Sequence, residues 1–390
     1  MISFDEAAHL VLELARPAGS ERVPIARAAG RVLAEPVRAM IDSPPADAAA
    51  MDGYALRSED LPGPLRLIGE SFAGSGFAGT VEPGTCVRIF TGAPVPTGAD
   101  RVMIQENAAR TDDRVSFSEG PGTARHIRGR GSDFRTGQLL VDAGEPITPR
   151  ALVAAAGADA GEVAVWRQPR LVVLATGDEL APPGEARTRP GQIPESVSYG
   201  VAALAEQWGA RVLETCRVAD DLKALERAAA SALEQADLIV VTGGASVGER
   251  DFAKTMFEPA GLELLFSKVA MKPGKPVWLG RAAGRLVMGL PGNPTSAMVT
   301  ARLLLAPLVT GLSGRGGALE WQPVRLAAPL AACGERETFV RARRSPSGAE
   351  PLGQQDSGAQ APLVEADLLL RTRPQEPARQ PGDIVEALEF

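Results

Sequence analysis

Strand-like and helix-like segments alternate along residues 170–318. The run LVVLATG is continuously apolar, as expected for a strand that is buried on both faces. It is followed by the strand-like runs ARVLETCRV, DLIVVTGG, LELLFSKVAM, VWLG and LVMGL. The helix-like segments VSYGVAALAEQWG, DLKALERAAASALEQA and DFAKTMFEPA alternate with these runs, and PTSAMVTARLLLAPLVTGL follows the last of them. The alternation predicts a doubly wound, mostly parallel sheet with helices on both faces.

The flanking segments predict further domains. Ser3 and Glu6 form a capping-box pattern that predicts a helix over residues 3–16, and a second helical stretch is expected near residues 24–34. Short apolar runs separated by Gly and Pro predict that residues 44–138 are β-rich, and the texture after residue 318 is again β-like. The fold class is therefore multidomain α/β. The predicted domains are an N-terminal helical and linking domain of residues 1–43 plus 139–167, an inserted β-rich domain of residues 44–138, the α/β domain of residues 168–318, and a C-terminal β domain of residues 319–390.

Composition narrows the class of protein. The 390 residues carry a net charge of −7, which gives no general attraction for nucleic acid. The three cysteines are far apart and only two histidines occur, so neither a disulfide framework nor a zinc site is expected. No basic leader and no apolar run long enough to span a membrane is found, and a cytoplasmic protein is the simplest expectation.

Two short motifs match well-known binding or catalytic motifs, but the neighbouring elements or residues that those motifs require are missing. Gly74, Gly76 and Gly79 match G-x-G-x-x-G, but a β-like segment follows where a dinucleotide site needs a helix. GASVG places Ser246 after a strand as in a hydrolase, but no histidine follows residue 126 to complete a triad. Neither motif supports a function.

Five polar, glycine-rich loops follow the predicted strands of the α/β segment: TGDE (176–179), ADD (219–221), TGGASVGERD (242–251), MKPGKP (271–276) and LPGNP (290–294). Doubly wound folds bind ligands at that edge of the sheet. The amides of Gly243, Gly244 and Gly248 could form an anion nest. Glu179, Asp220 and Asp251 are hard oxygen donors that suit Mg²⁺. Alternatively, Asp220 and Asp251 cap helices, and Pro291 and Pro294 only shape a turn.

Lysine is concentrated in one stretch. Three of the five lysines, Lys268, Lys272 and Lys275, lie in KVAMKPGKPVWLG, whereas arginine occurs 36 times along the chain. Three lysines on a solvated loop is the simpler interpretation. The other is that mobile ammonium charges hold an anion here, because arginine would impose a planar fork.

These loops, taken together, resemble a known family. LVVLATGDEL, GQI, ADD, DLIVVTGGASVGERDF, KVAMKPGKPVWLG and VMGLPGNPTSAMVT are similar, in this order, to the molybdopterin molybdenumtransferases of the MoeA and gephyrin family. AAAMDGYAL, IFTGAPVPTGADRVMIQE and GRGSDFRTGQLL resemble the family's N-terminal motifs, and RETFVRAR and DSGAQAPLVEAD its C-terminal domain. The similarity covers essentially the whole chain.

The resemblance implies four domains and an elongated homodimer whose active site lies between subunits. The α/β domain would be a pterin-binding domain like those of MoaB and MogA, and the C-terminal domain would be β-barrel-like. The implied activity is insertion of molybdenum from molybdate into adenylylated molybdopterin, with Mg²⁺ and with release of AMP. Implied protein partners are the molybdopterin adenylyltransferase and recipient molybdoenzymes.

The resemblance also implies roles for individual residues. Glu179, Asp220 and Asp251 would be metal and pterin-nucleotide carboxylates, and Lys268, Lys272 and Lys275 the anion holders. The pocket would be lined by Gly243, Gly244, Ser246 and Asn293, with Pro291 and Pro294 fixing its loop. Further candidates are Asp52, Thr91 and Asp133 in the β-rich region, which would face the α/β domain of the other subunit, and Ser357 near the C-terminus.

The chain departs from the family pattern twice. Ala48, Ala49 and Ala50 stand where the family usually has Asn-Ser-Ala, and Val197 replaces the amide of a Ser-Asn pair. These losses leave open an alternative in which a catalytically weakened paralogue binds the cofactor as a carrier or scaffold. A third interpretation is the preceding adenylylation step, but the additional β-rich and C-terminal domains count against it.

Overall fold

The computed structural model describes residues 1–243 and 252–390. The chain divides into two compact units, which are described separately below. The larger unit comprises Met1–Glu21, Gly30–Ala34 and Ala164–Phe390, and the smaller unit comprises Arg22–Ala29 and Glu35–Val163. The helices span Phe4–Leu14, Pro149–Gly157, Val197–Gln207, Leu222–Gln235, Phe252–Thr255, Pro294–Leu312 and Ala361–Glu365.

The α/β sheet of the larger unit is mixed. Its strands, in spatial order, are Arg211–Val218, Arg170–Thr176, Leu238–Thr242, Arg285–Leu290, Trp278–Ala282 and Glu263–Phe266. The first four are parallel, and Trp278–Ala282 runs antiparallel to both of its neighbours. The mostly parallel sheet predicted for this segment is confirmed, with an antiparallel hairpin at one side.

Alternate side chains of the strand Arg170–Thr176 pack on opposite faces of this sheet. Leu171 and Val173 join a core with the helices Phe4–Leu14, Val197–Gln207 and Pro294–Leu312. Val172 and Leu174 join the other core with the helix Leu222–Gln235. The continuous apolar run thus reflects burial on both faces, which is the arrangement of a doubly wound fold.

The predicted N-terminal helix is confirmed at Phe4–Leu14. The Ser3 hydroxyl accepts a hydrogen bond from the Glu6 N–H, and the Glu6 carboxylate accepts one from the Ser3 N–H at 2.7 Å. These bonds hold the pKa of Glu6 below its usual value. They satisfy donors that a helix start otherwise leaves without partners.

The helix predicted near residues 24–34 is wrong. The segment contains a single 3-10 turn at Ile25–Arg27, and Leu33 then forms a β-bridge with Val165. Gly30 has a φ of +72°, which ends any right-handed helix. The helical spacing of apolar residues was misleading because Val32 and Leu33 are buried as extended chain.

The predicted strand LELLFSKVAM is also corrected. It divides into Glu263–Phe266, in the α/β sheet, and Met271–Lys272, which pairs in parallel with Glu337–Thr338 of the C-terminal sheet. The loop MKPGKP therefore does not follow a strand of the α/β sheet directly. It precedes Trp278, whose partner Gly289 lies near the carboxyl end of a parallel strand, so the loop still reaches the predicted edge.

The C-terminal sheet contains Met271–Lys272, Glu337–Ser345, Leu368–Thr372, Ile384–Glu389 and Gln322–Arg325 in that order, and Gly348–Pro351 pairs with Glu337–Ser345. A bridge between Leu326 and Ala349 links its two sides. Short strands at Leu180–Ala181 and Ile193–Pro194 pair in the α/β part.

The smaller unit is built on a sheet of Arg101–Ile104, Gly53–Leu56, Thr85–Ile89, Leu65–Ser71, Arg114–Phe117 and Ala108–Thr111. Two-stranded pairs join Ala48–Ala49 with Ile127–Arg128, and Val37–Arg38 with Leu139–Val141. Further strands span Ser20–Pro24 and Glu162–Trp166. The β-rich texture predicted for this region is confirmed.

The helix Pro294–Leu312 has the length and the apolar composition of a membrane span, but 89% of its apolar window is buried inside the protein. This is the burial of a core helix, and its side chains belong to the larger core of the α/β sheet.

Candidate active site

A cleft of about 520 Å³ lies at the carboxyl edge of the parallel strands. It is lined at Thr176, Glu179, Thr242, Gly243, Pro291, Gly292, Asn293 and Pro294, and on another side by Glu195, Ser196 and Val197. The loops TGDE and LPGNP therefore meet beside Thr242 and Gly243, as the sequence predicts. Gly244, Ser246, Gly248 and Asp251 lie outside the described residues.

Gly243 is required by a close approach between two strands. Its φ is +90°, and a Cβ at this position would lie 2.3 Å from the carbonyl oxygen of Thr176. An alanine here would clash with backbone that cannot move aside. This residue therefore sets the distance between two of the loops that form the cleft.

The acidic loops are tied together by a residue that the sequence reasoning missed. Asp178 accepts a hydrogen bond from the backbone N–H of Asp220 at 3.0 Å, which joins TGDE to ADD. Glu179 is exposed and lines the cleft. The only sequence signal for this was that TGDE contains two adjacent carboxylates, of which one could be structural and the other could face the ligand.

Asp220 is not the cap of the following helix. Asp221 occupies that position, and its carboxylate accepts a hydrogen bond from the Ala224 N–H at 2.8 Å. The N-cap interpretation is therefore wrong for Asp220, whose neighbour satisfies the helix end.

The oxygen donors in the described ranges fit a magnesium ion that shares its coordination with a ligand. Glu179 and Asp220 lie on neighbouring loops, but residues 1–243 and 252–390 contain no group of three metal-binding side chains. Mg²⁺ commonly takes one or two protein carboxylates and completes its shell with water and phosphate oxygens. The donor set is thus compatible with Mg²⁺ in the presence of a phosphate-bearing ligand.

Two of the three clustered lysines enter an adjoining cleft of about 1000 Å³. Lys272 and Lys275 line it together with Arg336, which the sequence reasoning missed, and it shares Pro276, Pro291 and Asn293 with the first cleft. Lys268 is exposed but lines neither cleft. In the described part of the chain, none of these lysines forms an ion pair, so their charges remain available to a ligand.

The C-terminal domain contributes Ser357 to the same place. The Asn293 side-chain amide donates to Ser357 Oγ at 3.0 Å, and the Thr295 N–H donates to the Ser357 carbonyl at 3.1 Å. Arg341, which is 1% exposed, donates to the carbonyl oxygens of Gln354 and Asp356, which precede Ser357 in the chain. The loop carrying Ser357 is therefore held rigidly against the start of the helix Pro294–Leu312.

The candidates of the smaller unit form local hydrogen bonds. Asp52 accepts from the backbone N–H and the hydroxyl of Thr91 at 2.7 and 2.8 Å, and the backbone bond holds the Asp52 pKa below its usual value. Asp133 is exposed, and its N–H donates to the Ser43 carbonyl at 2.9 Å. Asp52 and Thr91 are thus brought together, while Asp133 lies on a different loop.

Comparison with known proteins identifies the family. Residues 2–158 match the MoeA N-terminal region (domain I and II), residues 172–311 a probable molybdopterin binding domain, and residues 323–390 the MoeA C-terminal region (domain IV). A relative from Haemophilus influenzae, named molybdopterin molybdenumtransferase, is 38% identical over 81% of this chain and 78% of its own length.

This chain belongs to the MoeA family. A relative of the same name from Synechococcus elongatus is 33% identical, and the match covers 94% of each chain. The structure of a molybdopterin biosynthesis MoeA protein from Pyrococcus horikosii superposes with a TM-score of 0.86 at 29% identity, covering 100% of this chain and 99% of that one. The predicted family and its multidomain fold are confirmed, and the shared name favours the transferase interpretation over the carrier.

The departures from the MoeA pattern lie in packed positions. Ala48 and Ala49 are buried and pair with Ile127–Arg128. Val197 is buried at the start of its helix, in the wall of the first cleft. Near it, buried Glu195 accepts hydrogen bonds from the N–H and the hydroxyl of Ser198, so the helix start is capped without the family's amide.

Proposed function

We propose that this protein inserts molybdenum from molybdate into adenylylated molybdopterin and releases AMP. The observation that carries the proposal is the pair of adjoining clefts. One contains Glu179 and glycine-rich loops, and the other contains Lys272, Lys275 and Arg336. Both substrates are anions, and a chain with a net charge of −7 must hold them through such a local cluster.

The chemistry asks the protein to bind and orient charge rather than to supply a nucleophile. The dithiolate sulfurs of the pterin replace oxygen ligands of molybdate, and the bond between pterin phosphate and AMP is hydrolysed. Lys272, Lys275 and Arg336 would neutralise molybdate and phosphate oxygens, and fixed positive groups stabilise negative charge that develops in such a reaction. Asn293 and Ser357 would orient the pterin nucleotide.

Mg²⁺ would be held by Glu179, Asp220 and Asp251, with phosphate oxygens of the substrate completing its shell. When bound, the ion would neutralise phosphate charge and favour departure of AMP. Asp178 supports this arrangement because its carboxylate fixes the backbone at Asp220.

The remaining expectations rest on the family resemblance. They are a homodimer whose active site lies between subunits, with Asp52, Thr91 and Asp133 of one subunit serving the other, and a cytoplasmic location consistent with three separate free thiols. The molybdopterin adenylyltransferase and recipient molybdoenzymes would be its partners. The bridge between Leu326 and Ala349 supports a barrel-like C-terminal domain. The four domain boundaries likewise remain proposals.

The direct test is AMP release from adenylylated molybdopterin by the purified chain, with and without molybdate and Mg²⁺. We expect molybdate-dependent release that falls at least a hundredfold in Glu179→Gln or Asp251→Asn, since losing one site that stabilises developing charge costs about 10²–10³ in rate. Asp142→Asn, at an exposed carboxylate elsewhere, is the matched control. Tight pterin binding without AMP release in the wild type would instead favour the carrier.

A further inference from the structure

A separate cleft of about 230 Å³ lies beside the second half of the helix Pro294–Leu312. Trp208, Arg302 and Arg315 form much of its wall, with Gly316 and Gly317 on the same side. None of the described candidate-site residues lines it. A rise of about 1.5 Å per residue puts Arg302 on the order of 13 Å along the helix from Asn293.

Arg302 carries a buried charge in the wall of this cleft. It is 8% exposed and lies in the π-helical segment Ala301–Leu305, a kind of distortion often found at functional sites. Its Nε donates to the Glu389 carbonyl at 2.6 Å, and its guanidinium lies 4.9 Å from the Trp208 ring centre. No ion pair involves it in the described ranges, and burial lowers its pKa. Isolated buried charge is costly, so a counter-charge would be strongly favoured.

The free face of this guanidinium points to the cleft. Nη1 and Nη2 of Arg302 donate to no acceptor in the part of the chain that the structure describes. Neither nitrogen belongs to the buried polar atoms that lack partners, so both remain accessible. Arg302 is one of the residues that line the cleft.

Arg315, an exposed residue, adds a second positive charge to the wall. Its Nη1 donates to the Gln207 carbonyl at 3.0 Å and its Nη2 to the Gly30 carbonyl at 2.5 Å, which fixes the guanidinium without neutralising it. Among the described residues it has no carboxylate partner either, and burial lowers its pKa. Two positive groups thus border one small cleft.

The acidic side chains of the wall offset these charges only in part, because the Glu389 carboxylate attracts Arg302 without forming an ion pair with it. The Glu389 carboxylate pairs with Arg344 at 2.7 Å, on the outside of the protein. Glu320 is exposed and forms no ion pair with the described residues. Glu320 and Glu389 are therefore the acidic side chains of the wall that could compete with an external anion.

We propose that this cleft is a binding site for a small oxyanion, in the form of a phosphate- or carboxylate-bearing molecule, held by Arg302 and Arg315. The planar guanidinium donates two parallel hydrogen bonds to such groups. The volume limits the ligand to a small molecule, and the site is distinct from the clefts that would hold molybdate and the pterin nucleotide.

The test is calorimetric titration of the full chain with inorganic phosphate and, separately, with acetate. All proteins carry Lys272→Ala and Lys275→Ala, so that anions held by these two lysines at the candidate active site do not contribute. In this background we expect phosphate or acetate to bind, and binding to weaken about tenfold or more in Arg315→Gln and in Arg302→Met, because a hydrogen bond to a charged group contributes about 1.5–3 kcal/mol. Glu320→Gln should strengthen it.

Arg281→Gln is the control, because Arg281 is exposed and forms no ion pair with the residues that the structure describes, and this variant should bind as the background does. Thermal unfolding checks that Arg302→Met folds. If it does not, Arg315→Gln still tests the site, because Arg315 is exposed. Preference for phosphate would assign the site to phosphate esters and preference for acetate to carboxylates. Failure of both anions to bind, or equal weakening in Arg281→Gln, would overturn the proposal without affecting the transferase assay.

Discussion

Two lysine side chains at the candidate site carry charges that form no ion pairs with the described residues. Lys272 and Lys275 are exposed and line the larger cleft, and neither has an ion-pair partner among the described residues. A solvated lysine of this kind contributes little to folding. Its effect should therefore be seen in ligand binding.

We predict that Lys272→Ala weakens molybdate binding about tenfold or more, since a hydrogen bond to a charged group is lost. Its free energy of unfolding should change by no more than about 0.5 kcal/mol, as for most surface substitutions. Calorimetric titration with molybdate and denaturant unfolding measure the two effects. Lys223→Ala, at an exposed helical lysine, is the control. A large loss of stability with unchanged binding would make Lys272 structural.

A different residue, Asp237, stabilises the opposite end of the α/β sheet. It accepts hydrogen bonds from the backbone N–H and guanidinium of Arg170 and from Arg285. Burial acts to raise its pKa, but these bonds outweigh it and lower the pKa below 3.8. The ionised form is thus favoured in the folded protein, which contributes stability above the pKa of the unfolded chain.

We predict that Asp237→Asn destabilises the protein at neutral pH and that the difference from wild type shrinks as the pH falls below about 4. The folded pKa is lowered, so this stabilisation is lost when acid protonates the carboxylate. Denaturant unfolding across pH measures it, with Asp142→Asn as the control. A difference that stays constant down to acid unfolding would contradict the assignment.

At the level of elements, adjacent aspartates at one helix start are expected to divide two tasks. Asp221 caps the helix Leu222–Gln235, and the Asp220 N–H is held by Asp178 at the candidate site. Replacing an Asp cap by Ala typically costs about 1 kcal/mol. The two positions therefore form a natural matched pair.

We predict that Asp221→Ala lowers the free energy of unfolding by about 1 kcal/mol with AMP release largely retained. Asp220→Asn should cause a strong loss of AMP release. Both variants are compared by denaturant unfolding and by the AMP assay. If Asp221→Ala abolished AMP release while Asp220→Asn did not, the assignment of the two roles would be wrong.

Helices and strands were predictable from the sequence where a single local signal determines the backbone conformation. The capping box at Ser3 and Glu6 gave the first helix, and the apolar run LVVLATG gave a strand buried on both faces. The segment 24–34 failed because its apolar spacing fits a helix, while Gly30 and a β-bridge at Leu33 decide the backbone. Tertiary pairing there overrides local periodicity.

The candidate site was predictable at the level of loops but not of contacts. The five loops could be placed at one sheet edge because parallel strands end together. The hydrogen bond from Asn293 to Ser357 joins residues 64 positions apart, and nothing in either motif specifies it. Arg336 was missed for the same reason, since its charge becomes informative only beside Lys272 and Lys275.

For the whole molecule, the matched family regions extend from residue 2 to residue 390. The α/β part and the C-terminal sheet are joined within the larger unit by Met271–Lys272, whose strand carries one of the proposed anion holders. The loops that we propose to bind the pterin and the loop of Ser357 thus belong to the same compact unit. This arrangement favours one active centre that handles both molybdate and the pterin nucleotide.

The measurement that tests this account most directly is a parallel determination of released AMP and of molybdenum bound to the pterin product. Purified protein would be given adenylylated molybdopterin, Mg²⁺ and molybdate. We predict equal amounts of the two, with neither formed when molybdate is omitted. AMP release without molybdenum in the product, or retained pterin nucleotide with neither, would contradict the proposed transferase activity.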